Sequence, residues 1–398
     1  MTHLTVADDS LFGLANLPYG VYSVPGVQSG SGPRVATRYG DHVVDLALLL
    51  DDPVFAEPTL NPFMAQGHER WVKVRAQITE ALQDDVPDEA VHPVGAVTLH
   101  LPFEVADYVD FYASEHHAAN LGRLFRPDNP EPLLPNWKHL PVGYHGRSSS
   151  IVVSGTDIAR PAGQRKGPQD EVPVFGPSTR LDIEAELGFV VGTGNPMGAP
   201  IDVEEAERHI FGVVLFNDWS ARDIQAWEYV PLGPNLGKSF ASTVSPWVVP
   251  LLALDTARVA TPEQQPEVLP YLAMEQPWGL DVSLAVEWNG DVVSRPPYAA
   301  MYWSPAQMLA HLTVNGAPTR TGDLFASGTI SGPEKDQRGA FIELTWGGRE
   351  PVTVAGSQRT FLEDGDDVAL LATAPGRDGA RIGFGEARGR IVASKAGA

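Results

Sequence analysis

The sequence predicts a mainly β protein with some helices, divided into a small N-terminal domain and a larger C-terminal one. Its 398 residues exceed the usual size of one compact domain. The 39 glycines and 35 prolines are spread along the chain, which suits short strands joined by turns rather than a helical bundle. Most segments with a clear hydrophobic pattern are short, and they alternate or run continuously apolar, whereas few show helical spacing.

Residues 34–50 read as two short strands joined by a tight turn at Gly40 and Asp41. Over residues 63–82, Trp71, Val74, Ile78 and Leu82 follow helical spacing and predict one amphipathic helix. Residues 84–92 are acidic, contain proline and read as a linker. The domain boundary is therefore expected near Leu101 and Pro102. Beyond it, residues 180–191 alternate apolar and acidic side chains, and residues 210–216 are continuously apolar, as in a fully buried strand. Residues 217–229 switch to helical spacing. Further strands are expected at 280–287, 341–346, 367–371 and 381–384, each bounded by Gly, Pro or Asp.

Composition narrows the function. A net charge of −22 disfavours nucleic acid or an anionic membrane surface as partner. The chain has no cysteine, so disulfides, thiolate nucleophiles and zinc–thiolate sites are excluded. No apolar run is long enough to span a bilayer, and MTHLTVADDS has neither a basic start nor an apolar stretch, so a cytoplasmic protein is expected. Phosphate-loop, dinucleotide-fingerprint, H-E-x-x-H and G-x-S-x-G patterns are all missing.

Three segments carry candidate chemistry. In residues 182–187 the period of two places Glu184 and Glu186 on one strand face, with Ile183, Ala185 and Leu187 on the other. These carboxylates either line a cleft or form the solvated face of a half-buried strand. In FNDWSARDIQAWEY, Asp218 sits where a strand gives way to a helix, as a site residue or a helix cap. Arg222, Gln225 and Tyr229 then share one helix face, a plausible grip for a polar anion or an ordinary solvated stripe. In VADYVDFYASEHHAANLGRLFR, Asp110, Tyr112, His116, His117 and Arg126 crowd together, and a histidine there is a candidate general base. Spacing does not choose between His116 and His117. Lys238 lies in the Gly- and Pro-rich loop PLGPNLGKSFAS, as an aimed amine or a plain exposed lysine.

The runs DFYASEHHAANLGRLFR, LPNWKHLPVGYHGRSSSIVVSG, HIFGVVLFNDWSARDIQAWEYVPLGPNLGKSF and LFASGTISGPE resemble the fumarylacetoacetase family, the full-length, two-domain form of the fumarylacetoacetate hydrolases. So do NLPYGVYS near the start and DGARIGFGEARG near the end, and the resemblance runs in order along nearly the whole chain. It implies an SH3-like barrel over residues 1–101 and a rolled, mixed β-domain over residues 102–398. It also implies a homodimer with a metal in each active site that hydrolyses a carbon–carbon bond of 4-fumarylacetoacetate. The products are fumarate and acetoacetate, and the reaction is the last step of tyrosine breakdown.

The resemblance further implies a role for each matching residue. Asp110, Glu184, Glu186 and Asp218 correspond to the metal-binding carboxylates, and four oxygen donors without Cys or His suit Ca²⁺ or Mg²⁺. His117 aligns with the catalytic histidine, and Glu343 in FIELTW with its orienting partner. Arg222, Gln225 and Lys238 resemble the cluster that stabilises developing negative charge. Tyr112, Arg126, Gln225, Tyr229 and Thr329 resemble substrate-binding positions. The family run S-F-G-T after the lysine is here Ser239-Phe240-Ala241-Ser242, where Ser242 keeps a hydroxyl and Ala241 lacks glycine's backbone freedom. Lys238 and Ser242 are the positions implied for a second, structural Mg²⁺. Two competing expectations are a relative acting on another acylpyruvate or diketo acid, and a catalytically silent metal-binding homologue.

Overall fold

The computed structural model describes residues 1–26 and 32–395. Its centre is a 13-stranded sheet whose main path starts at Val91–Pro93 and passes through His42–Asp45, Arg34–Tyr39, Tyr19–Ser23 and Trp247–Pro250 to Ile210–Asp218. It continues through Ala185–Val191, Leu324–Ala326 and Tyr108–Phe111 to Gly143–His145. Most neighbours are antiparallel. Leu324–Ala326 with Tyr108–Phe111, and Ser242–Val244 with Ile151–Val153, pair parallel. A second sheet of five strands runs Asp291–Ser294, Ser283–Trp288, Asp367–Pro375, Arg381–Val392, Ile158–Ala159.

Ile210–Asp218 is buried along all nine residues, the first seven as the unbroken apolar run over 210–216 predicts. Tyr19–Ser23 pairs with Trp247–Pro250, so the N-terminal strands extend the same sheet. One core cluster joins Val21, Phe63 and Trp71 to Phe211, Phe216, Val248 and Leu324, and Trp71 meets Phe211 edge-on at 5.3 Å between ring centroids. Among the described residues no helix is long and apolar enough to cross a membrane.

Several local expectations change. The hairpin Arg34–Tyr39 to His42–Asp45 forms around Gly40 at φ +61°, but the following leucines form the helix Leu46–Leu50 instead of extending the strand. Asp45 caps that helix by accepting from the Leu48 amide, and leucine and alanine favour helix once an N-cap is present. The helix expected over 63–82 is two helices, Asn61–Met64 and His68–Ala81, divided at Gly67 with φ +87°. Trp71, Val74, Ile78 and Leu82 are buried as their spacing predicts. Residues 84–92 are not a free linker, since Val86 bridges Thr2 and Val91–Pro93 pairs with His42–Asp45.

The strand expected at 341–346 is the short helix Phe341–Leu344, despite its β-favouring composition. Its first two amides donate to the buried carboxylate of Asp182, a tertiary contact that overrides local propensity. The helix expected over 217–229 begins only at Arg222, because the preceding strand runs through Asp218.

Candidate active site

Four buried carboxylates converge at one end of the central sheet. Asp110 comes from Tyr108–Phe111, Glu186 from Ala185–Val191 and Asp218 from the end of Ile210–Asp218. Glu184 precedes Ala185–Val191 and bridges to Ala340. Each offers an oxygen, and these four oxygens lie within 4.8 Å of one another. The acidic face of residues 182–187 is therefore buried, and Asp218 is no helix cap: Ala221 holds that position, with no side-chain cap bond. Gly328, at φ +75°, is packed so tightly that a Cβ would stand 2.2 Å from the Phe111 carbonyl oxygen. Its amide donates to Glu186 Oε2 at 3.1 Å.

The cluster holds too little positive charge for its acids. Lys238, buried and not exposed, places Nζ 2.5 Å from Glu184 Oε2 and 2.6 Å from Asp218 Oδ2. Arg222 places Nη1 2.7 Å from Glu184 Oε1 and donates from Nε to Asp182 Oδ2 at 2.7 Å. Burial works to raise Glu184, but Lys238 and Arg222 outweigh it and hold that carboxyl below its ordinary value. Burial, and then repulsion from neighbouring carboxylates, push Asp110 and Glu186 well above theirs, and burial raises Asp218. Among the described residues Asp110 Oδ1 and Glu186 Oε1 have no hydrogen-bond partner, although buried acceptors are nearly always satisfied. A hard divalent cation fits this donor set, satisfying the orphaned oxygens and the missing charge together.

Beside the cluster stands a histidine–carboxylate pair. His117, on the helix Glu115–Phe125 capped by Ser114, places Nδ1 2.6 Å from Glu343 Oε2. Glu343 is fully buried and also accepts from Asn120 Nδ2 at 2.9 Å and Ser331 Oγ at 2.9 Å. Burial works to raise the Glu343 carboxyl. Its contact with His117 and these bonds outweigh it, so the group sits below its ordinary value. An anionic carboxylate only accepts, so Nδ1 carries a proton, and the neutral form of the ring presents its lone pair at Nε2. Of the two adjacent histidines, His117 is the buried one.

Of the remaining predicted residues, Tyr112 and Gln225 touch this centre. The Tyr112 ring stands edge-on to the His117 ring, with centroids 5.3 Å apart. Gln225 Oε1 accepts from Arg222 Nη1 at 3.0 Å, which ties amide and guanidinium together. Arg126 Nη2 donates to the Pro132 carbonyl at 2.8 Å. Arg126 Nε, Arg222 Nη2 and Thr329 Oγ1 are buried without a hydrogen-bond partner among the described residues, unspent donors at positions expected to meet a substrate. Tyr229, at the end of Arg222–Glu228, is 46% exposed. Ser242 Oγ donates to Asp218 Oδ1 at 2.9 Å. Lys238 Nζ pairs with the other oxygen of Asp218, so both side chains meet that carboxylate.

Two site residues escaped the reading of the sequence. Tyr144 donates to Asp110 Oδ2 at 2.7 Å, and Asp182 pairs with Arg222. The signal for Asp182 was present, since 182, 184 and 186 share one parity in the alternating strand. Tyr144 lies in the quoted run LPNWKHLPVGYHGRSSSIVVSG, but a lone tyrosine carries no periodic signal. A cavity of about 210 Å³ opens beside Asp218 and Lys238, lined also by Tyr144, Arg147, Asn235 and Ser242.

Comparison with known proteins gives the family. Residues 15–102 match the family described as "Fumarylacetoacetase N-terminal", and residues 107–392 match "Fumarylacetoacetate (FAA) hydrolase C-terminal". The chain is 47% identical to a fumarylacetoacetase of Rattus norvegicus, over 98% of this chain and 99% of that one. It is 46% identical to one of Arabidopsis thaliana, over 98% of each. Among solved structures, a fumarylacetoacetate hydrolase from the psychrophile Exiguobacterium antarcticum superposes with a TM-score of 0.58 at 18% identity, over 95% of this chain and 99% of that one. At that identity the likeness speaks for the fold alone.

Proposed function

The chain belongs to the fumarylacetoacetate hydrolase family, and on that premise we propose that it hydrolyses 4-fumarylacetoacetate to fumarate and acetoacetate. The observation that carries the reading is the His117–Glu343 pair set beside a buried carboxylate cluster that is short of positive charge. Asp110, Glu184, Glu186 and Asp218 would hold Ca²⁺ or Mg²⁺, which when bound supplies Lewis-acid polarisation of a substrate carbonyl.

His117, with Nδ1 fixed by Glu343, takes a proton from water at Nε2, and the water oxygen bonds to the carbonyl carbon of the fumaroyl half. The bond from that carbon to the adjacent carbon of the acetoacetate half then breaks. Its electron pair leaves with acetoacetate as an enolate, which takes up the proton held by His117. Lys238 and the free Nη2 of Arg222 face the charge that develops, in a buried site where such contacts are strong. Arg126, Tyr112, Gln225, Tyr229 and Thr329 are assigned to the far carboxylate, and the unspent donors of Arg126 and Thr329 support this.

The substrate is thus a small dianion, and the family resemblance supports a cytoplasmic homodimer. The test follows loss of fumarylacetoacetate absorbance while fumarate and acetoacetate are quantified, with a shorter acylpyruvate in parallel. Equimolar formation of both products supports the proposal. Turnover of the acylpyruvate with none of fumarylacetoacetate overturns it in favour of another diketo acid.

A further inference from the structure

Asp182 is completely buried and lies outside the four-carboxylate cluster, yet its two oxygens receive four donors. Oδ1 accepts from the amides of Ile183 at 2.8 Å and Phe341 at 2.7 Å. Oδ2 accepts from the Ile342 amide at 3.0 Å and from Arg222 Nε at 2.7 Å. Phe341 and Ile342 open the helix Phe341–Leu344, whose next residue is Glu343, the partner of His117. Arg222 reaches the other way, to Glu184 and Gln225.

One carboxylate therefore touches both halves of the site: the segment that aims the histidine and the guanidinium that faces the cluster. Simple neutralisation of a buried arginine needs one oxygen and no particular backbone. Here three of the four donors are main-chain amides, two of them from a segment some 160 residues away in sequence. The main chain cannot be redirected as a side chain can, so the carboxylate fixes a distance between two elements.

We propose that Asp182 is a positioning residue that sets the placement of the His117–Glu343 pair relative to Arg222 and Glu184. The assignment rests on the hydrolase reading of this site. Buried residues that orient reacting groups typically change rate by about 10–100-fold when altered, and misplacement by about 1 Å can reach 100-fold. In Asp182→Asn the amide nitrogen must face two donors whichever way it turns, so one arm is released.

The experiment uses the full-length, metal-loaded protein with fumarylacetoacetate. Asp182→Asn is expected to lower kcat per metal-loaded site by about 10–100-fold while KM moves by no more than about threefold. Adding Asp182→Asn to Glu343→Gln, or to Arg222→Lys, is expected to lower kcat by far less than it does in the wild type, because the same placement is already lost. Asp182→Glu, with the same charge on a longer stem, is the second variant if the asparagine form does not fold, and a loss in the same range is expected. A fully active site with only a lowered Tm, or losses that multiply independently in the double variants, overturns the proposal. Wild-type protein that fails to turn over the substrate would instead defeat the hydrolase reading itself.

Discussion

Replacing Glu343 by glutamine isolates the role of the histidine's partner with almost no change of volume. Glu343 accepts from His117 Nδ1 at 2.6 Å, from Asn120 and from Ser331, and it is fully buried. Glutamine can meet these donors in two ways. With its oxygen toward His117, the hydrogen bond survives but loses its charge. Charged hydrogen bonds contribute about 1.5–3 kcal/mol, so imidazolium formation becomes about 10- to 150-fold less favourable. With its nitrogen toward His117, Nδ1 must accept, the proton moves to Nε2 and the base is lost. In a histidine–carboxylate pair of a serine protease that wrong tautomer lowers kcat by about 10⁴. Asn120 can turn its amide and Ser331 its hydroxyl, so the first arrangement is accessible and the expected loss in kcat is about 10–150-fold. Glu343 makes no hydrogen bond to the carboxylate cluster, so metal stoichiometry should stay intact. The assay is steady-state loss of fumarylacetoacetate absorbance beside calorimetric metal titration. A kcat within about threefold of wild type in metal-competent protein would refute the general-base role of His117.

Other perturbations probe the cluster. Lys238→Met removes two ion pairs and is expected to lower kcat by about 10²–10³-fold, while metal affinity holds or rises because a competing cation is gone; unchanged turnover would contradict this. Tyr144→Phe removes the donor to Asp110 and should weaken metal binding by about 10–100-fold, read by titration, and an unchanged affinity would contradict the assignment. The pH dependence of the metal-free protein follows from the raised carboxyls. Asp110, Glu186 and Asp218 bind protons more tightly when folded than when unfolded, so their contribution to stability is greatest below the unfolded value of about 4 and declines as pH rises above it, whereas Glu184 and Glu343, held low, lose theirs only below that value. Chelated protein should therefore melt at a falling Tm over that range, and metal addition should release protons and restore Tm. A Tm of chelated protein that rises with pH would contradict it.

The elements that sequence reasoning read well are those whose signal is local. Residues 210–216 are apolar throughout because both faces of their strand are covered, and Trp71, Val74 and Ile78 line the buried stripe of one helix. Phe341–Leu344 failed because its conformation is set by Asp182, distant in sequence, against the β-favouring preference of its residues. The same holds for the site. Parity placed Glu184 and Glu186 together, but the convergence of Asp110 and Asp218 upon them depends on strand order, which no spacing along the chain reveals. Lys238 looked like a loop lysine because its two carboxylate partners are supplied by other segments. Family resemblance bridged these gaps, whereas Tyr144 required the packed structure, as did the partners of Asp182, whose parity with Glu184 and Glu186 was legible.

The claim on which the rest depends is that the four carboxylates hold a divalent cation needed for carbon–carbon hydrolysis. Its most direct test is turnover of fumarylacetoacetate by protein stripped with a chelator and then titrated with Ca²⁺ or Mg²⁺, with Glu186→Gln measured alongside. The account predicts that stripping abolishes turnover, that about one equivalent of metal per chain restores it, and that Glu186→Gln needs far more metal. Full turnover in the chelated protein would contradict it.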